Sequence, residues 1–95
     1  MEGKISQSWT VRVSSKAEKY LHKLSKPIKE RCKKELISLC VYEDPRQHPN
    51  VEPLLGPLRG FHRLRVGRYR IVFEIIKEGG IIAVVNIAPR GDVYK

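Results

Sequence analysis

The sequence has no apolar run approaching the roughly 18 to 20 residues that cross a bilayer. Its first residues, MEGKISQSWTVRV, lack the apolar centre of a secretory signal. We therefore expect no membrane association and a cytoplasmic protein. Cysteine is scarce, with only Cys32 and Cys40. Both fall in what reads as one helix, and a rise of about 1.5 Å per residue puts them roughly 12 Å apart, too far for a disulfide. Their spacing matches no zinc motif and no histidine pair completes one, so we expect buried thiols, no metal and no cofactor. Acidic residues are the other shortage, 10 against 19 Lys and Arg, for a formal net charge of +9 and a pI near 9.9. So basic a chain favours nucleic acid or another acidic partner. With 95 residues, 41% of them hydrophobic, it is long enough for one modest core, which implies one domain over residues 1–95.

What the chain does have is a strong hairpin signal, FHRLRVGRYRIVFEI, from Phe61 to Ile75. Two alternating runs flank the turn Gly67-Arg68. A two-residue turn sets Val66 against Tyr69, Arg65 against Arg70, Leu64 against Ile71 and Arg63 against Val72. One face then carries His62, Leu64, Val66, Tyr69, Ile71, Phe73 and Ile75 and reads as core. The other carries Arg63, Arg65 and Arg70. Like charges directly across strands are destabilising, so such a face implies a polyanionic partner.

Elsewhere, Trp9–Val13 alternates and is β-branched, predicting a first strand. Ser14 or Ser15 offers an N-cap, and Glu18 stands where a capping box would place it. A helix follows from Lys16 to about Ser25, and Pro27 fits the first turn of a second helix running to about Tyr42. Ile28, Cys32, Leu36, Leu39 and Cys40 form its apolar stripe. Lys26, Lys29, Arg31, Lys33 and Lys34 cover its remaining surface, either as a solvated face or as a second contact for nucleic acid. Residues 43–57 hold four prolines and read as a loop tethered by Leu54, Leu55 and Leu58. Strands are expected at Leu58–Val66, Tyr69–Lys77 and Ile81–Ala88. A three-residue turn, Glu78-Gly79-Gly80, would pair Lys77 with Ile81, Phe73 with Val85, Ile71 with Ile87 and Arg70 with Ala88. By parity Arg90 joins the arginine face. The fold class is α+β: an N-terminal strand, then a two-helix hairpin packed on a twisted antiparallel sheet, in the order β-α-α-β-β-β.

That element order, with LRGFHRLRVGRYRIVFEI and the closing PRGDVYK, resembles the RelE/ParE toxin superfamily, and within it archaeal-type RelE toxins. The resemblance implies a toxin of a type II toxin–antitoxin system that cuts mRNA in the ribosomal A site. It implies a RelB-type antitoxin as partner, together with the ribosome with its mRNA and ribosomal RNA; DNA would be reached only through the antitoxin. The basic pair of the family's second strand falls on Arg63 and Arg65. The arginine after the next strand's tyrosine falls on Arg70, the one past the last strand on Arg90, and the C-terminal tyrosine on Tyr94. Arg59 matches the arginine of the L-x-G segment. The chain departs from the family in having arginine where its best-studied bacterial members have lysine at 63 and 65, and Pro89-Arg90 in place of the commoner His-Arg.

The implied reaction is attack of a ribose 2′-hydroxyl on the adjacent phosphate, with expulsion of the 5′-oxygen and no metal. Arginine suits the charge of its transition state, because the planar fork grips phosphate oxygens and stays protonated. Arg63, Arg65, Arg70, Arg90 and Tyr94 are the candidate catalytic residues. Arg59, Lys26, Lys29, Lys33 and Lys34 are candidates for binding RNA and the ribosome. Tyr94 suits either a base among arginines or a platform for stacking. His62 sits on the core face, His22 and His48 carry no partner pattern, and Trp9 and Tyr42 read as core or edge aromatics. Glu74 lies on the arginine face, as a base or as a neutralising partner of Arg63 or Arg65. Two alternatives share the fold: a ParE-type inhibitor of DNA gyrase, and a catalytically silent basic module that binds RNA or the antitoxin.

Overall fold

The computed structural model describes residues 9–89, so Arg90 and Tyr94 lie outside the described residues. Five strands and two helices form: β1 (Thr10–Val13), α1 (Ser15–Lys23), α2 (Lys26–Leu39), β2 (Val51–Pro53), β3 (Phe61–Val66), β4 (Tyr69–Ile76) and β5 (Ile81–Pro89). Ser14 is the N-cap of α1. Its hydroxyl accepts the Ala17 N–H at 3.1 Å and donates to the Val85 carbonyl at 3.2 Å, which fixes the helix start against the sheet. Pro27 lies in the first turn of α2, where its missing N–H costs nothing.

The sheet order is β1-β5-β4-β3-β2. The α+β class and the two-helix layer stand as expected, with two refinements. First, β1 runs parallel to β5 while the other pairs are antiparallel, so the sheet is mixed. Two helices and a hairpin intervene between β1 and β5, enough chain for the crossover that parallel neighbours need. Second, the Pro-rich segment supplies an edge strand, β2, paired to β3 through Val51↔Leu64, Glu52↔Arg63 and Pro53↔His62. Three residues ending in proline give no readable alternation, and only a sheet edge tolerates them.

The β3–β4 hairpin has the predicted register, Arg65↔Arg70 and Arg63↔Val72 included. The β4–β5 register matches only in part. Ile71↔Ile87 and Arg70↔Ala88 hold, but Ile81 pairs with Ile76 and not Lys77, and Phe73 faces Val84 and not Val85. The loop has four residues, Lys77 to Gly80, with Gly79 and Gly80 at φ 89° and 63°. A bulge between Val72 and Phe73 absorbs the one-residue offset. Ile82 and Val84 before the bulge and Ile87 after it thus all turn toward the same core, leaving Val85 exposed and its carbonyl within reach of Ser14.

The helices cover one face of the sheet. Phe73, Leu64, Ile71, Ile82 and Ile87 are buried there against Leu21, Cys32, Leu36 and Leu39. Cys32 and Cys40 are free and buried, and burial raises both thiols' pKa values. On the opposite face a small cluster of Leu54, Val72 and Ala88, flanked by Leu58 and Phe61, covers only part of the surface. Leu54 and Leu58 tether the loop as expected, but Leu55 is 80% exposed. The chain around it forms a 3₁₀ turn, Gly56–Leu58, so β3 begins at Phe61 and not at Leu58. Trp9 packs against the core edge and donates its indole N–H to the Tyr42 and Glu43 carbonyls at 3.1 and 3.2 Å. Among the described residues no helix is long and apolar enough to cross a membrane.

Candidate nucleic-acid interface

Strand parity alone places Arg63, Arg65 and Arg70 on the sheet face away from the helices, because their neighbours Leu64, Val66 and Ile71 are buried on the other. Arg65 is exposed and directly faces Arg70 across the hairpin. Beside them opens a cavity of about 790 Å³, lined by Arg65, Arg68, Arg70, Arg31, Asn50 and Gly67, with Pro89. Four guanidinium groups thus converge on one hollow. Among the described residues, no carboxylate lies within ion-pair distance of Arg31, Arg65 or Arg68.

Arg63 stands one step further along β3 and has a partner. Its Nε donates to Glu52 Oε1 at 3.0 Å, and its Nη2 bonds the same oxygen. Glu52 is its directly opposed neighbour on β2. The Glu52 carboxyl is held below its usual pKa, first by the hydrogen bond from Arg63, then by that residue's charge and, more weakly, by Arg65 and Arg70. One carboxylate therefore sits inside the field of the arginine face. Of the two roles the sequence left open for Glu74, a base or a neutralising partner, the pairing with Arg63 is taken by Glu52. Glu74 is exposed and stands between Phe61 and Ala83, two residues beyond Val72.

A buried polar network positions β2. His48 was expected to have no partner pattern, yet it is 7% exposed and bonded on both sides. Its Nδ1 accepts the Asn50 backbone N–H at 3.0 Å, which in the neutral ring leaves the proton on Nε2, 3.0 Å from Ser38 Oγ. Ser38 in turn donates to the Glu35 carbonyl at 2.5 Å. The network joins α2 to Asn50, whose carbonyl accepts the Arg65 N–H at 3.0 Å. Before it, Asp44 caps the turn Pro45–Gln47 and holds Arg46 through side-chain bonds of 2.6 and 3.0 Å, which lowers the Asp44 pKa to about 2.

His62 lies on the core side as expected, stacked on Phe73 with ring centroids 5.8 Å apart. Its burial lowers its pKa, with the Arg46 charge adding to the effect, and among the described residues its Nδ1 has no hydrogen-bond partner. Of the candidate binding residues, Lys26, Lys29, Lys33 and Lys34 do not line the arginine cavity; Arg31 does, from the same helix. Arg59 is exposed after the Gly56–Leu58 turn and is not among the lining residues either. Among the described residues no three His, Cys, Asp or Glu side chains gather to hold a metal.

The fold of this chain recurs in solved toxins. The archaeal RelE of the RelE–RelB complex from Pyrococcus horikoshii OT3 superposes with a TM-score of 0.73 at 25% identity, over 90% of this chain and 98% of that one. The isolated E. coli RelE toxin gives 0.68 at 27% identity, over 90% of each chain. The YoeB/ParE toxin from Agrobacterium tumefaciens, at 14% identity, shares the fold with a TM-score of 0.69, over 84% of this chain and 96% of that one. No curated protein sequence matches. The fold is RelE-like. A sequence profile described as "ParE toxin of type II toxin-antitoxin system, parDE" matches residues 11–94, and the chain belongs to that family, within the RelE/ParE toxin superfamily.

Proposed function

We propose that this protein is a ribosome-dependent endoribonuclease, acting in the cytoplasm on mRNA in the ribosomal A site and neutralised by a RelB-type antitoxin. The observation that carries this reading is the convergence of Arg65, Arg68, Arg70 and Arg31 on one hollow, next to the Arg63–Glu52 pair. Guanidinium groups gathered around one hollow suit the growing negative charge of phosphoryl transfer, and a gyrase-binding surface has no need of them.

In the reaction, the 2′-oxygen forms a bond to phosphorus as the bond from phosphorus to the 5′-oxygen breaks. The products are a 2′,3′-cyclic phosphate and a 5′-hydroxyl, the leaving 5′-oxygen taking its proton from water. Arg65 and Arg70 hold the non-bridging oxygens, whose charge grows in the transition state. Arg90, which lies outside the described residues, supplies a further guanidinium for the same oxygens. Glu52 is the proton acceptor for the 2′-hydroxyl, oriented by Arg63, and Tyr94 stacks on a substrate base or assists proton transfer. A carboxylate held below its usual pKa is a weak base. Cleavage therefore depends on the geometry that the ribosome imposes on the mRNA, and unbound RNA is cut slowly.

A second reading, inhibition of DNA gyrase, draws on the ParE name of the matched profile. Purified protein added to a defined translation reaction, with mRNA ends mapped by primer extension, separates the two. Codon-positioned ends that disappear with Arg65→Ala or Arg70→Ala support the nuclease. Intact mRNA together with loss of supercoiling in a gyrase assay supports the alternative.

A further inference from the structure

We infer that Arg31 and Arg68 form a second phosphate subsite at the tip of the β3–β4 hairpin, so that the protein grips at least two consecutive phosphates of a single RNA strand. The inference rests on the nuclease reading and extends it. Arg31 comes from α2, and its Nη1 would lie 3.3 Å from a Cβ built on Gly67. Glycine at this position, at φ 59°, both makes the tight turn and lets a guanidinium lie against the backbone. Arg68 is the other residue of that turn. The two therefore bracket the end of the hairpin, while the Arg65–Arg70 pair stands one residue pair below it, beyond Val66↔Tyr69.

The volume supports more than one bound group. About 790 Å³ lies toward the upper end of the roughly 300–1,000 Å³ typical of small-ligand sites. The lining also selects the ligand class. It is guanidinium, amide and backbone, with Pro89 as its one apolar side chain. A peptide that folds onto a protein uses apolar anchors in pockets. Planar cations without such anchors fit a phosphodiester chain better.

The test is binding of a short single-stranded RNA, 2′-O-methylated throughout to block cleavage, by the full chain at a series of salt concentrations. Each lost phosphate contact lowers the slope of log K against log salt by about 0.7 for a single strand. Arg31→Ala and Arg68→Ala should each reduce the slope by that amount and weaken RNA binding several-fold, with uridine monophosphate binding unchanged. Arg12→Ala, on exposed β1, should leave the slope as it is. Equal reductions in Arg12→Ala and Arg31→Ala would reduce the effect to bulk charge and overturn the subsite. Wild-type slopes for Arg31→Ala and Arg68→Ala, with a reduced slope for Arg65→Ala, would overturn the subsite and leave the nuclease reading in place. Unchanged slopes in all of them, Arg65→Ala included, would defeat both. Unaltered RNA binding alongside lost binding of an acidic peptide would assign the hollow to a protein partner and overturn the inference.

Discussion

Arg65 and Arg70 occupy directly opposed positions across the β3–β4 hairpin, two like charges where a sheet favours opposite ones. Their mutual repulsion works against the stability of the hairpin. Arg65→Ala should leave the fold intact and be neutral or stabilising, by about 0.2–1 kcal/mol, while codon-positioned cleavage falls sharply. Urea denaturation and the cleavage assay on the same preparation check both halves. Clear destabilisation would make Arg65 a structural residue. Such opposition between stability and activity is common where a site is strained for function.

Glu52→Gln removes the carboxylate and keeps the shape. If Glu52 takes the proton, cleavage on the ribosome should fall by about 10²–10⁴-fold, while RNA binding tightens because a negative charge has left the arginine face. The Glu52 pKa lies below its usual value, and the deprotonated form is the active one. Cleavage by the wild type should therefore persist through the ordinary carboxylate range as pH falls, declining only below it. A decline centred near neutral pH would point to a different base.

The Asp44–Arg46 pair gives a stability prediction whose sign is fixed. The folded pKa of Asp44 is lowered to about 2 from 3.8, so its contribution is complete above the unfolded value. It is lost as pH falls through about 4 toward 2. The pair is partly exposed, so the effect is small and screened by salt. Asp44→Asn should flatten that acid limb in denaturation curves recorded from pH 6 to 2 and lower neutral-pH stability by the same small amount.

His48→Ala should destabilise by about 2–4 kcal/mol, since it empties a buried site and leaves Ser38 and the Asn50 N–H without their partner. Because the same network holds β2 and the carbonyl that bonds Arg65, activity should fall beyond what the unfolded fraction explains. Thermal melts and cleavage at a temperature where the variant is folded separate the two effects.

The hairpin and its arginine face were legible because a two-residue turn and strict alternation leave one register, and burial of Leu64 and Ile71 fixes the faces. The helices were legible from Ser14, Pro27 and their apolar stripes. The β5 register beyond Phe73 was not, since the bulge depends on β1, on Ser14 and on a four-residue loop that the Glu-Gly-Gly signal does not single out. Glu52 was missed for a related reason: it sits on a three-residue edge strand within a Pro-rich loop and shows no periodicity. Helical spacing gave α2 its basic surface but could not say which cation leans over Gly67. It proved to be Arg31, while Lys26, Lys29, Lys33 and Lys34 line no part of the hollow.

The most direct measurement compares cleavage of one mRNA by the purified protein with and without translating ribosomes. The expected result is codon-positioned cuts bearing 2′,3′-cyclic phosphate and 5′-hydroxyl ends on the ribosome, lost in Arg70→Ala, and little cutting of the unbound RNA. Intact mRNA on active ribosomes, or equal cutting without them, would contradict it.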